Sequence, residues 1–354
     1  MTQEPEVLTR IESGVGRITL NRPKALHALN RAMCEAMIEA LLAWRDDDAV
    51  KSILIDHEGE RGFCAGGDIR MIAESGAGDA SEAKAFFDTE YKLNHLLFDY
   101  PKPVTALVDG IVMGGGVGIS LPAGYRVATE RTTFAMPETG IGLFPDVGGG
   151  WYLPRLPGRA GVWLATTGAR IKGADCVAMG IATHYMTSDK IEAAKARIIA
   201  EPSRLSDILD EMADDAPPSQ WSAQRADIDR VFASDRYEDI LAALEADGSA
   251  WAREQLDILA SKSPQTVKVA LRQLAEGAAF TDFADNMRNE YRIACHVIRR
   301  PDFVEGVRAV IFDKDNAPRW NPATPQDVTH DLVDSLFAPL PPGKEWTPYP
   351  QSGV

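Results

Sequence analysis

The N-terminal half of the chain alternates short apolar runs with longer stretches in which apolar residues recur at helical spacing. This alternation predicts strands at Gly16–Asn21, Ser52–His57 and Val104–Val108, and helices at Asn30–Arg45 and Ser81–Phe98. Asn30 is expected to cap the first helix, because an asparagine side chain accepts hydrogen bonds from free N–H groups at a helix start. The pattern therefore predicts a mixed α/β fold.

The second half of the chain has a different texture. From about Ile191 alanine, leucine, aspartate and arginine dominate, which predicts a helical C-terminal region. The end of the chain is rich in proline and is expected to be extended. We therefore predict an α/β core over residues 1–190, a helical region over 191–340 and a proline-rich tail over 341–354.

Composition narrows the classes of partner and location. The 354 residues carry a formal net charge of −15, which disfavours binding to nucleic acid or to an anionic membrane. The four cysteines are far apart, so neither a disulfide framework nor a metal cluster is predicted. The first residues lack the apolar run of a signal peptide, and no stretch approaches the length of a membrane span. These features favour a cytoplasmic location.

Two glycine-dense segments are candidates for an anion site. The sequence FCAGGDIR at Phe63–Arg70 follows a predicted strand, and MGGGVG at Met113–Gly118 leads into a helix. Glycine turns expose backbone N–H groups without an obstructing side chain, and such groups stabilise a developing oxyanion. The alternative is that these glycines only permit tight turns, but two such segments make that alternative weaker.

Two acidic residues follow within a mostly uncharged stretch. Glu138 lies in AMPETGIG between a proline and two glycines, a context typical of a positioned loop carboxylate, although a surface glutamate is the alternative. Asp146 precedes a glycine triplet, where either helix capping or chemistry explains it. Together they are candidate catalytic residues.

These motifs resemble those of the crotonase, or enoyl-CoA hydratase/isomerase, superfamily, in particular its 3-hydroxyisobutyryl-CoA hydrolase branch. The resemblance implies a spiral of ββα units followed by a helical C-terminal region, with Glu138 and Asp146 as catalytic carboxylates. It also implies that Gly67 and Gly115 donate the N–H groups of the oxyanion hole. Hydratases of the superfamily carry a second glutamate where this chain has Gly118, which argues against hydration.

The resemblance extends to residues that would bind the substrate. It implies a contact of Glu90 with the acyl group, although pattern alone would make Glu90 an exposed helical acid. The other residues that the resemblance implies lie in the two glycine-dense segments and in the loop before the first predicted helix. They are Gly66, Asp68 and Gly114 for the substrate, and Lys24, Ala25, His27 and Ala65 for coenzyme A. Cys64 is expected to be an inert buried thiol rather than a nucleophile.

The predicted function is hydrolysis of a short-chain 3-hydroxyacyl-CoA thioester. No metal or separate cofactor is expected, since coenzyme A is part of the substrate, and a homo-oligomer is compatible with the resemblance. One alternative is an enoyl-CoA hydratase or isomerase that uses Glu138 with Asp146. Another is a non-catalytic scaffold that binds coenzyme A or RNA, which the negative net charge disfavours in the case of RNA.

Overall fold

The computed structural model describes residues 4–350, and its strands all lie in the first part of the chain. The last four residues of the predicted tail lie outside the described residues. The strands are β1 Val7–Glu12, β2 Val15–Leu20, β3 Ser52–His57, β4 Gly62–Cys64, β5 Val104–Val108, β6 Ile111–Met113, β7 Tyr125–Ala128, β8 Thr133–Ala135, β9 Ile171–Lys172 and β10 His184–Tyr185.

Helices connect these strands and make up the regular structure of the C-terminal region. In chain order they are α1 Arg31–Arg45, α2 Ile69–Gly76, α3 Ser81–Phe98, α4 Gly115–Ser120, α5 Gly149–Tyr152, α6 Ala160–Thr167, α7 Gly173–Ala178, α8 Ile191–Ala200, α9 Leu205–Met212, α10 Gln220–Val231, α11 Tyr237–Asp247, α12 Ala250–Ala260, α13 Pro264–Gly277, α14 Phe283–Val297, α15 Pro301–Val307 and α16 His330–Phe337. A short π-helical turn, Arg308–Phe312, continues α15.

Most of the patterned elements match their predicted bounds. The strands β3 and β5 and the helix α3 begin and end where the periodicity places them. Asn30 caps α1, since its side chain accepts a 2.9 Å hydrogen bond from the N–H of Met33. The predicted α/β core and helical C-terminal region are thus confirmed.

The strands form two sheets. A six-stranded sheet has the order β1-β2-β3-β5-β7-β10, with β1 antiparallel to β2 and the other neighbours parallel. A four-stranded sheet has the order β4-β6-β8-β9. Pairs of strands therefore recur along the chain with a helix after each pair, as a spiral of ββα units requires.

The chain divides into two compact units, each built from separate segments. The first unit holds the described residues up to Gly67, with Lys92–Phe134 and Arg170–Ala223. The second holds Asp68–Tyr91, Ala135–Ala169 and the described residues from Gln224 onwards. The boundaries predicted at residues 191 and 341 separate regions of different secondary structure. As domain boundaries they stay a prediction.

Each unit has its own apolar interior. In the first unit β2, β3, β5 and β7 of the larger sheet pack against α8 and α9 through buried side chains, among them Val15, Leu54, Leu107, Val127, Ile198 and Leu209. In the second unit α13 packs against α5 and α6, while α14 packs against α5 and α16. The short helix α5 begins at Gly149, three residues after Asp146, so the helices of the C-terminal region support a candidate catalytic segment.

Candidate active site

The first glycine turn follows β4 in the first unit. Gly66 has φ of 117°, a backbone conformation that residues with a side chain rarely adopt. Its carbonyl oxygen accepts a 2.7 Å hydrogen bond from the N–H of Leu29, and Gly67 forms an isolated parallel bridge with the same residue. The turn is thus fixed against the loop that precedes α1.

The second glycine turn connects β6 to α4 and lies beside the first. Gly114, with φ of 45° and ψ of −121°, precedes the first residue of α4, Gly115. A Cβ atom placed on Gly66 would lie 3.6 Å from the carbonyl oxygen of Met113 and 3.9 Å from the nitrogen of Gly115. At Gly116 a Cβ atom would lie only 2.4 Å from the carbonyl oxygen of Cys64. Glycine is therefore required for the close approach of α4 to β4.

The N–H groups of Gly67 and Gly115 are the two predicted oxyanion donors. Outside the regular elements, no main-chain hydrogen bond described for residues 4–350 is donated by Gly67 or Gly115. Gly115 is the first residue of α4, where helical geometry leaves the N–H without a partner four residues earlier. A pair of such donors on neighbouring turns can stabilise negative charge on a carbonyl oxygen.

Glu138 begins a short 3₁₀ turn in the second unit. Its side chain is only 4% exposed, and Oε2 has no hydrogen-bond partner among the described residues. Burial raises the pKa of Glu138 well above its usual value, and the charge of Asp146 raises it further. The surface-glutamate alternative is therefore wrong, and Glu138 is a candidate functional residue, because a buried acid with a strongly shifted pKa is common at active sites.

The C-terminal region packs closely against the turn that carries Glu138. A Cβ atom on Gly142 would lie 2.3 Å from the carbonyl oxygen of Asp302, and one on Gly306 would lie 2.3 Å from the carbonyl carbon of Ile141. The N–H of Ser263 also donates a 3.0 Å hydrogen bond to the carbonyl oxygen of Thr139. The start of α15 therefore docks directly against the turn that carries Glu138.

Asp146 is a buried carboxylate with a defined partner. Its Oδ2 accepts a 2.8 Å hydrogen bond from the hydroxyl of Tyr91, and both side chains are buried. Burial raises the pKa of Asp146 to about 6, while the bond from Tyr91 opposes that rise. The residue that caps α5 is Gly148, so the alternative in which Asp146 is a helix cap is wrong.

Glu90 lies on α3 and is not the exposed acid that pattern alone would predict. It is 2% exposed, and its Oε1 lacks a hydrogen-bond partner among the described residues. Burial raises its pKa well above the usual value, and the charges of Asp146 and Glu138 raise it further. The carboxyl groups of Glu90, Glu138 and Asp146 are therefore electrostatic neighbours, as a shared site requires.

Sequence reasoning missed two buried groups in the second unit. Tyr91 stands next to Glu90 in the sequence, but nothing in the sequence indicates its bond to Asp146. Glu290 on α14 accepts hydrogen bonds from the N–H groups of Gly148 and Gly150 at 2.8 and 2.9 Å. Burial raises the pKa of Glu290 to about 8, although these two donors oppose the rise. The sequence signal that could have identified Glu290 is an acidic residue on the buried, largely apolar face of α14.

The predicted coenzyme A residues lie in the first unit and differ in exposure. Lys24 is exposed, whereas Ala25 and Ala65 are half-buried. His27 is buried, and its two ring nitrogens bond to the main chain, accepting from Arg22 and donating to Glu58. Burial lowers the pKa of His27 to about 4. The imidazole is therefore neutral near physiological pH, and it holds the loop between Arg22 and Glu58 together.

Other features of the described residues bear on cofactors and thiols. Cys64 is fully buried, and its thiol donates to the carbonyl oxygen of His27 at 3.2 Å, as expected of an inert thiol. Among residues 4–350, no group of three or more His, Cys, Asp or Glu side chains is arranged to hold a metal ion. No helix in this part of the chain has the length and apolarity to cross a membrane. The absence of a cofactor stays a prediction.

Comparison with known proteins places these features in a family. The family model for enoyl-CoA hydratase/isomerase matches residues 15–337. A mitochondrial 3-hydroxyisobutyryl-CoA hydrolase of Danio rerio is 44% identical over 95% of this chain and 90% of its own length. The corresponding protein of Homo sapiens is 42% identical over 95% of this chain and 89% of its own length.

Solved structures agree on the fold. One described as a carnitinyl-CoA dehydratase from Mycobacterium thermoresistibile has a TM-score of 0.93 and 43% identity, covering 98% of this chain and 99% of its own. Another, an enoyl-CoA hydratase from Rhodobacter sphaeroides, has a TM-score of 0.91 and 38% identity, covering 97% of this chain and all of its own. These matches confirm the crotonase-type spiral.

The predicted cytoplasmic location is wrong, because the curated relatives are mitochondrial proteins. Net charge and scattered cysteines are common to proteins of more than one reducing compartment, so they could not distinguish these locations. The predicted relationship, in contrast, is confirmed over almost the whole chain. The protein belongs to the enoyl-CoA hydratase/isomerase family, in the branch of the 3-hydroxyisobutyryl-CoA hydrolases.

Proposed function

We propose that this enzyme hydrolyses a short-chain 3-hydroxyacyl-CoA thioester, with 3-hydroxyisobutyryl-CoA, an intermediate of valine breakdown, as its preferred substrate. The observation that carries the proposal is the buried Glu138, whose unpartnered oxygen is an electrostatic neighbour of Asp146. The names of the curated relatives at 42–44% identity support the choice of substrate.

Glu138 is the proposed base or nucleophile. In one route it removes a proton from water as the water attacks the thioester carbonyl; in the other its carboxylate attacks directly and forms a mixed anhydride. Both routes require the ionised carboxylate. The leaving thiol resembles a free thiol, whose pKa is about 8.5, so it departs as the thiolate with little assistance.

Backbone donors stabilise the charge that develops on the carbonyl oxygen in this proposal. The N–H groups of Gly67 and Gly115 are the proposed pair, with Gly66 and Gly114 shaping the turns that present them. The hydroxyl of the acyl group would bind Glu90, whose buried Oε1 has no partner among the described residues. Asp146 would orient the water or this hydroxyl and raise the pKa of Glu138.

The remaining binding assignments are also proposals. Asp68, which caps α2, is assigned to the substrate. Coenzyme A would lie along the loop that contains Lys24, Ala25 and His27, and against Ala65. The exposed ammonium of Lys24 is the member of this set suited to a phosphate.

Hydration is the second candidate function, and the names of the two similar solved structures favour testing it. Addition of water across a C=C bond needs acid and base groups near both carbons, and loss of one such group costs about 10² to 10⁴ in rate. Residue 118, on α4, is glycine and supplies no acid. Asp146 would have to take that second role, so hydrolysis fits this chain better.

The experiment compares reactions on one preparation of the enzyme. Release of free thiol is measured with 3-hydroxyisobutyryl-CoA and with isobutyryl-CoA, which lacks the hydroxyl, while hydration of crotonyl-CoA is followed in parallel. Hydrolysis that prefers the hydroxylated substrate supports the proposal. Hydration without thiol release would favour the second candidate. If the protein catalyses neither reaction but still binds coenzyme A, a non-catalytic scaffold would be favoured.

A further inference from the structure

The turn that carries Asp146 has an unfavourable backbone conformation. Val147, the next residue, has φ of 52° and is buried. A β-branched residue is a clear outlier in this left-handed region, and such a conformation persists only where the surroundings hold it. The position of Asp146 therefore depends on groups that hold the backbone on both sides of Val147.

Glu290 holds the side of the turn that follows Val147. Its Oε2 accepts from the N–H of Gly148 at 2.8 Å, and its Oε1 accepts from the N–H of Gly150 at 2.9 Å. Asn286, one turn earlier on α14, donates to Oε1 at 3.0 Å. Both oxygens of a fully buried carboxyl are thus used to hold the start of α5.

Gln273 on α13 holds the side that precedes Asp146. Its Nε2 donates to the carbonyl oxygen of Pro145 at 2.7 Å and to Oε1 of Glu290 at 3.1 Å. Both partners are acceptors, so they require the amide nitrogen rather than the amide oxygen at this position. One side chain therefore links the backbone before Asp146 to the carboxylate that binds the backbone after it.

Glycines allow the side chains of Asn286 and Gln273 to lie close to the main chain at residue 150. A Cβ atom on Gly150 would lie 2.6 Å from Oδ1 of Asn286 and 3.1 Å from Nε2 of Gln273. On Gly277 of α13 a Cβ atom would lie 1.9 Å from the carbonyl oxygen of Gly150. The glycine triplet after Asp146 is thus explained by this contact as well as by the turn.

We propose that Glu290 and Gln273 act as a clamp on residues 145–150 and are positioning residues that fix the carboxylate of Asp146. This inference rests on the proposed function, in which Asp146 orients the water or the substrate hydroxyl. Displacement of a positioned group by about 1 Å can cost about 10²-fold in rate, so a loosened clamp should slow the reaction.

The kinetic test is a double-mutant cycle between Glu290→Gln and Asp146→Asn, with kcat expressed per folded enzyme by circular dichroism. We expect Glu290→Gln to lower kcat about 10- to 100-fold in the native background. In the Asp146→Asn background it should lower kcat by less than about 3-fold, because a residue that acts through Asp146 has nothing left to position. Equal losses in both backgrounds would overturn the clamp.

A structural readout keeps the clamp testable apart from activity. Amide hydrogen exchange of peptides that span residues 145–152 should be faster in Glu290→Gln and in the milder Gln273→Ala than in the parent protein. Glu276→Gln is the control, because Glu276 on α13 pairs with Arg272 and accepts a hydrogen bond from Asn289, and its described bonds do not reach residues 145–150. Unchanged exchange in Gln273→Ala would overturn the clamp even if Glu290→Gln fails to fold.

These readouts also separate the clamp from the proposed function. If the parent protein releases no thiol, the proposed function fails, and the exchange experiment still tests whether Glu290 and Gln273 hold the turn. If the parent protein releases thiol and Glu290→Gln retains its full kcat, the clamp fails and the proposed function stands.

Discussion

The hydroxyl of Tyr91 donates a 2.8 Å hydrogen bond to Oδ2 of Asp146, and both side chains are buried. One oxygen of the carboxylate is therefore engaged by a group that cannot act as a base near neutral pH, because burial raises the pKa of Tyr91 well above its usual value. The bond orients Asp146 and favours its ionised form.

Loss of the Tyr91 hydroxyl should raise the pKa of Asp146, because that hydrogen bond lowers it. Tyr91→Phe is expected to lower kcat about 2- to 13-fold, equivalent to the roughly 0.5–1.5 kcal/mol of a typical hydrogen bond. Tyr237→Phe is the matched control, since it removes a buried hydroxyl that donates to the carbonyl oxygen of Leu259. Equal kinetic effects of the two substitutions would contradict the role of Tyr91.

Removal of the charge at Asp146 should change the pH dependence of the reaction. That charge raises the pKa of Glu138, so in Asp146→Asn the pKa of Glu138 falls and the carboxylate stays ionised at lower pH. In the pH profile of kcat/KM the acid limb of Asp146→Asn should therefore lie at lower pH than that of the parent protein, although kcat itself drops. Glu90 and Tyr91 also interact electrostatically with Asp146. The apparent pKa read from the pH profile therefore belongs to these interacting groups together.

The control for the pH experiment is Asp285→Asn, which removes an exposed carboxylate that pairs with Arg288 on α14. Its acid limb should coincide with that of the parent protein. A limb that stays fixed in Asp146→Asn, or moves to higher pH, would mean that Asp146 does not raise the pKa of Glu138.

The proposed oxyanion donor on α4, the N–H of Gly115, can be removed by proline. Position 115 is the first of the helix, where proline is tolerated, and Gly115→Pro deletes the N–H while keeping a helical φ. Loss of one such donor should lower kcat about 10²- to 10³-fold. Gly115→Ala retains the N–H and should lose much less activity, so comparable losses in both variants would point to obstruction rather than to a lost donor.

Docking of α15 should depend on the glycine that ends the Glu138 turn. Gly142 has φ of 71°, and an added Cβ atom would lie 2.3 Å from the carbonyl oxygen of Asp302. Gly180→Ala is a matched control with φ of 78° and no atom within 4 Å of the added Cβ. Backbone strain of about 1–3 kcal/mol affects both variants, so Gly142→Ala should unfold at clearly lower denaturant concentration. Equal midpoints would contradict the close docking.

The sequence was most informative where the physics is local. Helix α1 and its cap Asn30 follow from spacing and from one side chain, and β3 follows from a run of apolar residues. Glu138 was identifiable as a positioned loop carboxylate because proline and glycine surround it. These signals each lie within a few residues of the feature they specify.

The missing parts of the site depend on contacts between distant segments. Tyr91 is 55 residues from Asp146, and Glu290 is 142 residues from Gly148, so no periodicity or spacing connects them. Burial of Glu90 likewise follows from how α3 packs rather than from its own sequence. A single sequence specifies such contacts only through the complete fold.

The most direct measurement is thiol release from 3-hydroxyisobutyryl-CoA by the parent protein and by Glu138→Gln, which keeps the size of the side chain and removes its charge. Glu82→Gln, at an exposed position on α3, is the control. We expect the parent protein and the control to release thiol at similar rates and Glu138→Gln to be about 10²- to 10⁴-fold slower. Thiol release by Glu138→Gln at the parent rate would contradict the assignment of Glu138 as the catalytic carboxylate.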